Sequence, residues 1–261
     1  MPIQQMFLGA GGPKPPEPLG SIPITSSISW YYDGYYATES SPGAQITQWT
    51  DQSGNGRHMT TAGGRMGNSI TQHTANKGDR YLTSARKYIR SDNVASGMKW
   101  QGSGYWPGTS YTLMHIVARG TRSGADQSGR IFDGFGINWL SGYHDAHEGV
   151  FYHDGWILDS GNPRGTDTNF LVCIDRLNSV RAKGKHGGGT TDSGYATSSG
   201  KNAPTSGNGI GLGCGQYTGD INSSGSESCD WDCMMAACWS GNKSDSDCNT
   251  LVDWAFNKLY G

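Results

Sequence analysis

Four groups of residues have types and spacings that could do chemistry. The first is Glu227-Ser-Cys-Asp230-Trp-Asp232, three carboxylates within six residues. Cleavage of a glycosidic bond needs two carboxyl groups across the scissile oxygen, one of them held protonated as the acid. Asp230 and Asp232 share one face of a strand. Glu227 lies an odd number of residues from Asp230 and points the other way unless a bulge intervenes. Acids that face solvent are therefore the expected reading. The second group is His144, His147 and His153 with Asp145, Glu148 and Asp154 in GYHDAHEGVFYHDGW. His144 and His147 beside an acid have the composition of a metal site, but no helix sets both rings on one face, and a hydrogen-bonded loop is expected. The third is Asp51, Ser53 and Asn55, whose oxygens are of the kind that hold Ca²⁺. An Asx turn bonded to itself accounts for the same residues, and no other cofactor is called for. The fourth is aromatic. Sugar rings stack on Trp and Tyr while Asp, Asn and His fix their hydroxyls. Trp100, Trp106, Trp139, Tyr143, His144 and Trp156 sit in or beside turns and are the candidate glycan contacts. With 9 Trp and 13 Tyr in the chain, most of its aromatic rings must be core.

The elements that position these groups read as short strands. Among the 261 residues are 41 Gly but only four Glu, and charged residues make up 16%, a composition poor in helix formers and rich in turn formers. Strands are predicted at 28–32, 46–49, 111–119, 149–152, 169–175, 179–183 and 230–240. Ile210-Gly-Leu-Gly-Cys-Gly215 alternates, so one strand face is nearly all glycine and admits a close backbone or an aromatic ring. No helix follows it, which excludes a dinucleotide fingerprint. Residues 184–209 read as a long surface loop. One helix is predicted, at the end: Ser244 caps it, and Cys248, Leu251, Val252, Ala255 and Leu259 form one apolar stripe.

The first 24 residues differ. Five prolines fall between Pro13 and Pro23, so this stretch runs extended and carries the apolar tip Ile3, Met6, Phe7 and Leu8. The domain division predicted is 1–24, a Pro/Gly-rich arm, and 25–261, one sandwich. Truncation before residue 20 is accordingly expected to leave the fold intact. The net charge of −2 and dispersed Lys and Arg give no basic patch for nucleic acid. No run of 18 apolar residues exists to span a membrane. The start of the chain lacks a basic, apolar leader, so synthesis in the cytosol is expected. Six cysteines there read as free thiols. Cys229, Cys233, Cys238 and Cys248 are not at zinc-site spacings, and their spacing alone does not decide between free thiols, bridges and metal ligation.

Three segments in order resemble the laminin-G-like, concanavalin-A-like jelly-roll family. They are Trp30-Tyr-Tyr-Asp-Gly34 with Gln48-Trp-Thr-Asp-Gln-Ser-Gly-Asn-Gly56, the Ile210–Gly213 strand, and the closing Phe256-Asn-Lys-Leu-Tyr-Gly261. Residues from about 80 to 205 match by strand rhythm only. The opening MPIQQMFLGAGG resembles the start of structural proteins of tailed marine phages, cyanophages in particular. The resemblance implies an all-β, two-sheet antiparallel jelly-roll sandwich with an extended N-terminal arm and a short C-terminal helix. It implies a virion surface protein made in the host cytoplasm. The main reading is a capsid decoration, several copies of which are anchored by the arm on a major capsid or appendage protein. The alternative is a tail-fibre or appendage adhesin for host-surface glycans. A polysaccharide hydrolase is the third, disfavoured because hydrolases of this fold carry Glu at both ends of a run that here ends in Asp232. The chain is thus expected to bind or assemble and not to be an enzyme.

Overall fold

The two longest apolar runs of the sequence, Tyr111–Arg119 and Trp231–Ser240, lie side by side as antiparallel strands, with Cys238 opposite Leu113 and Ala236 opposite His115. Neither alternates, because each is covered on both faces, the condition under which a strand reads as continuously hydrophobic. Along the first of them Leu113 and Val117 enter one core while Met114 and Ile116 enter another.

This computed structural model describes residues 14–61, 66–91, 96–120, 129–145, 147–159, 162–163, 169–214, 227 and 229–261. Its strands begin with β1 (Ile28–Glu39), β2 (Ile46–Asp51), β3 (Met59–Thr60), β4 (Ile70–Ala75), β5 (Arg86–Ser91) and β6 (Met98–Trp100). They continue with β7 (Tyr111–Arg119), β8 (Phe132–Gly134), β9 (Trp139–His144), β10 (His147–His153), β11 (Trp156–Leu158) and β12 (Asn162–Pro163). The last are β13 (Leu171–Arg176), β14 (Ser179–His186), β15 (Gly189–Asp192), β16 (Ala196–Thr197), β17 (Ile210–Leu212) and β18 (Trp231–Ser240), followed by helix α1 (Asp245–Tyr260).

The larger sheet runs β15-β14-β13-β7-β18-β1-β2-β3, with β16 on β14 and the β4–β5 hairpin on β18. The smaller runs β11-β10-β9-β8-β17-β6, with β12 on β10. The pairings between these strands are antiparallel. Between the sheets lies an aromatic core that includes Trp30, Tyr32, Trp49, Trp100, Phe132, Trp139 and Phe151. A second core lies on the other face of the larger sheet, where Met114, Ile116, Val172 and Ile174 meet Cys248, Leu251, Val252, Ala255 and Leu259 of α1. Ser244 Oγ accepts the Asp247 N–H at 3.1 Å, the predicted cap. The fold is the two-sheet antiparallel sandwich with a C-terminal helix that the sequence implied. All six cysteines are buried and unbridged.

Two expectations change. The stretch 184–209 is not simply loop: β14 turns into β15 through Gly187 and Gly188, and β16 pairs back onto β14. The predicted arm does not remain separate as far as residue 24 either. Leu19 and Ile22 are 1% and 5% exposed and belong to the core under α1. The Leu19 N–H donates to Asp33 Oδ2 at 2.7 Å, and Arg86 donates to the Glu17 and Pro18 carbonyls, both at 3.1 Å. Proline denies this segment a ladder but not apolar contacts, so residues 17–24 pack as part of the sandwich. The tip residues Ile3, Met6, Phe7 and Leu8 lie outside the described residues.

Candidate functional site

Phe132 of β8 enters the inter-sheet core, so Asp133 next to it points to the outer face of the smaller sheet. Asp133 is wholly buried there, and among the described residues neither carboxyl oxygen has a hydrogen-bond partner. Gly211, opposite it on β17, leaves the room: a Cβ at that position would lie 2.7 Å from Asp133 Oδ1 and 2.9 Å from Cys214 Sγ. Burial pushes the Asp133 carboxyl up to about 7, with Arg130 opposing the shift and the Glu227 charge adding to it.

Arg130 and Glu227 lie beside this carboxyl. The Arg130 Nε donates to Glu227 Oε2, and its Nη1 donates to Asn138 Oδ1 at 2.7 Å. The backbone holds the pair in place, because the Arg130 N–H donates to the Glu227 carbonyl at 2.7 Å. His144, at the end of β9, brings its Nε2 to 3.5 Å from Glu227 Oε2. Burial holds the His144 imidazole below its ordinary value, against the pull of Glu227. The His144 ring lies 6.2 Å from Trp156, and Tyr152 meets Trp156 edge-on at 5.1 Å. Trp156 itself is 41% exposed, and 28% of the Glu227 side chain is open to solvent. An exposed indole, a carboxylate and an imidazole thus share one surface, with the buried Arg130 guanidinium beneath the carboxylate.

Of the six candidate glycan contacts, His144 and Trp156 are the two that come together on this surface. The other four are core. Trp100 stacks on Trp30 at 5.2 Å, and the Trp106 indole N–H donates to the Pro204 carbonyl at 2.8 Å. The Trp139 N–H donates to the Tyr111 hydroxyl at 3.1 Å, and the Tyr143 hydroxyl donates to the Asn169 carbonyl at 3.4 Å. Nearby turns did not keep them outside, because Trp100, Trp139 and Tyr143 lie in β6 and β9 on the faces that enter the inter-sheet core, and Trp106 is carried there by the loop after β6.

The acidic run is also placed differently. Asp232 is fully buried between Arg80 and Arg90, and Asp230 is 1% exposed. Asp232 lies in the central strand β18, covered on both faces, and Asp230 immediately precedes it, so the expectation of solvent-facing acids fails for both. The histidines diverge: His153 is buried, with Nε2 3.1 Å from Asp175 Oδ2, while His147 Nδ1 meets the Asp145 carbonyl at 2.7 Å. Among the described residues no three His, Cys, Asp or Glu side chains gather as metal ligands. The oxygens considered for Ca²⁺ are spent internally. Asp51 Oδ1 accepts the Tyr31 and Ser53 N–H groups, and Oδ2 accepts the Ser53 hydroxyl and the Arg57 N–H. Asp133, Arg130, Asn138 and Tyr152 were missed from sequence. The available signal was Asp133 itself, a carboxylate set between Phe132 and Phe135 in an otherwise apolar strand.

No protein family and no curated protein matches the sequence. Solved structures match at the level of fold. The chain is similar to an α-L-arabinofuranosidase soaked with a cyclic sulfate inhibitor at 15% identity and a TM-score of 0.43, covering 82% of this chain and 51% of that one. It is similar to the Trypanosoma rangeli sialidase in complex with sialic acid at 13% identity and a TM-score of 0.45, covering 97% and 37%. It is similar to the binding domain of botulinum neurotoxin DC in complex with SialylT at 10% identity and a TM-score of 0.43, covering 88% and 52%. The chain spans about half the length of the arabinofuranosidase. At these identities the likeness is one of fold alone. The expectation that the chain is not an enzyme is corrected all the same: enzymes stand beside a binding domain among these structures, so the sandwich gives no ground for excluding catalysis.

Proposed function

We propose that the chain binds a surface glycan on the outer face of its smaller sheet, with Trp156 as the platform. The observation that carries this reading is an indole 41% exposed yet braced by Tyr152 and His144. A braced ring loses little freedom when a sugar stacks on it. Glu227, held in place by the buried Arg130, supplies an acceptor for hydroxyls within the same cluster. The proposal includes the setting that the opening twelve residues imply, a bacteriophage particle. There the chain serves as a capsid decoration or an appendage adhesin, held through Ile3, Met6, Phe7 and Leu8. A glycan array probed with the whole chain tests binding. At least one glycan class is expected to bind, and to lose about tenfold in affinity, about 1.4 kcal/mol, in Trp156→Ala. Uniformly blank spots sink it. Absence of the chain from purified particles by mass spectrometry would remove the setting alone.

One observation favours a second reading. Asp133 and Glu227 place two carboxyls in one electrostatic cluster, and burial keeps the first largely protonated up to about pH 7. Carboxyls whose environments separate their protonation states are what acid–base cleavage of a glycoside requires. Asp133 is buried and cannot reach a bound sugar, so Glu227, paired with Arg130, would serve as the carboxylate at the anomeric carbon, and water would supply the proton to the leaving oxygen. Release of reducing ends from polysaccharide is expected to disappear in Glu227→Gln, and release that persists there removes this reading.

A further inference from the structure

We infer a second binding site, separate from that surface, for a single neutral sugar ring. It is a cavity of about 270 Å³ between the segment at residues 20–28, β1 and the loop after β2. Ile22 and Ile28 give it apolar lining, Tyr36 an aromatic ring, and Ser21, Gln52 and Ser53 neutral polar groups. Tyr36 is 38% exposed and is met edge-on by Tyr35 at 5.2 Å. The pairing of β1 with β2 is irregular between Tyr32 and Ala37, and the irregularity is what turns both tyrosines out of the sheet.

The walls are fixed by bonds that do not involve a ligand. Asp33 accepts the Leu19 N–H at 2.7 Å and the Tyr35 N–H at 2.9 Å, so one carboxylate sets both the N-terminal segment and the tyrosine turn. The Tyr31 hydroxyl donates to the Gly20 carbonyl at 2.9 Å, and the Trp239 indole N–H donates to the Ile24 carbonyl at 2.9 Å. The Gln52 N–H donates to the Tyr31 carbonyl at 2.6 Å. A cavity already in its bound shape spares a ligand the cost of ordering it.

The chemistry of the lining selects the class of ligand. No lining residue carries a charged side chain, so a charged ligand would be desolvated without a counter-charge. An aromatic ring with apolar lining suits the C–H face of a sugar, and neutral hydroxyl and amide groups suit its hydroxyl edge. The volume falls below the roughly 300–1,000 Å³ of sites for drug-sized molecules, which admits one ring and not an oligosaccharide.

The test is saturation-transfer NMR on the full chain with the methyl glycosides of glucose, galactose, mannose and fucose, and with methyl glucuronide as the charged counterpart. At least one neutral glycoside is expected to bind in the millimolar range, and the glucuronide more weakly. Tyr36→Ala is expected to weaken binding about tenfold or more at an unchanged thermal midpoint, and Trp156→Ala to leave it unchanged. Absence of transfer from all four neutral glycosides overturns the site. So does binding that survives both Tyr36→Ala and Gln52→Ala. Binding lost in Trp156→Ala but kept in Tyr36→Ala overturns it too, and assigns the sugar to the other face.

Discussion

At the scale of single residues, Asp133 makes the sharpest statement about pH. Its carboxyl is raised in the folded state to about 7 by burial, from an ordinary value near 4. The folded chain therefore holds this proton more tightly than the unfolded chain does. The contribution is harmless below pH 4. It becomes a penalty as pH rises toward 7, because folding then has to keep the carboxyl protonated at a pH where the unfolded chain has already released the proton. Each pH unit crossed costs about 1.4 kcal/mol, so the window is worth on the order of 4 kcal/mol. Asp133→Asn removes the titration but keeps the shape. Urea midpoints measured from pH 4 to 8 are expected to fall more steeply for the wild-type chain than for the variant, the two converging at the acid end. Parallel curves would mean that Asp133 does not titrate in this range. Little of this was legible beforehand. An Asp between phenylalanines can be noticed in a sequence, but its burial depends on Gly211, nearly eighty residues away and on another strand. Trp156, which is exposed, and Trp139, which is buried, could not be told apart, since both stand beside glycine-rich turns.

At the scale of elements, the sequence was most informative where periodicity repeats over several turns or an entire strand is apolar. The α1 stripe fills the core at all five predicted positions because a helix that long has one face to cover. The N-terminal segment misled for a physical reason. Its prolines exclude regular structure, and the absence of regular structure was read as absence of packing. Leu19 carries the consequence, being 1% exposed in the core beneath α1. Leu19→Ala is expected to cost about 2–5 kcal/mol, as for other buried leucines. At roughly 2–4 °C per kcal/mol for a domain of this size, calorimetry should show the thermal midpoint fall by about 5–15 °C. A change under about 2 °C would restore the original division at residue 24. Ser244→Ala offers a milder control at the other end, where losing the cap is expected to cost about 1 kcal/mol.

For the molecule as a whole, the larger sheet is joined at one point. Two strands share the same edge of β18: β1 pairs with residues Met235–Trp239, and β5 with Trp231–Cys233. The change of partner occurs past Asp33, where Gly34 lets the hairpin in, since a Cβ there would lie 2.6 Å from the Tyr88 Cα. Asp232 fastens that junction. It accepts Arg90 Nε at 2.6 Å and Nη2 at 2.9 Å, and Arg80 Nη2 at 2.5 Å. The two arginine side chains are only 13% and 11% exposed, and Arg80 also stacks over Phe170 at 4.8 Å. Removing the carboxylate leaves two nearly buried cations facing each other, which is costlier than never having had the cluster. Asp232→Ala is therefore expected to lose about 3–5 kcal/mol of stability, while Trp156→Ala, at an exposed position, stays within about 0.5–1 kcal/mol of wild type. Replacing all three members, with Arg80→Met, Arg90→Met and Asp232→Leu together, should recover much of the loss, because an apolar trio neither pairs nor needs pairing. Urea unfolding of the single and triple variants decides the matter. If Asp232→Ala costs under about 1 kcal/mol, the junction is held by strand pairing and packing, and the ion cluster is incidental to it. If it costs the full amount and the triple variant does not recover, the arginines contribute through their contacts with Tyr88 and Phe170 rather than through their charge.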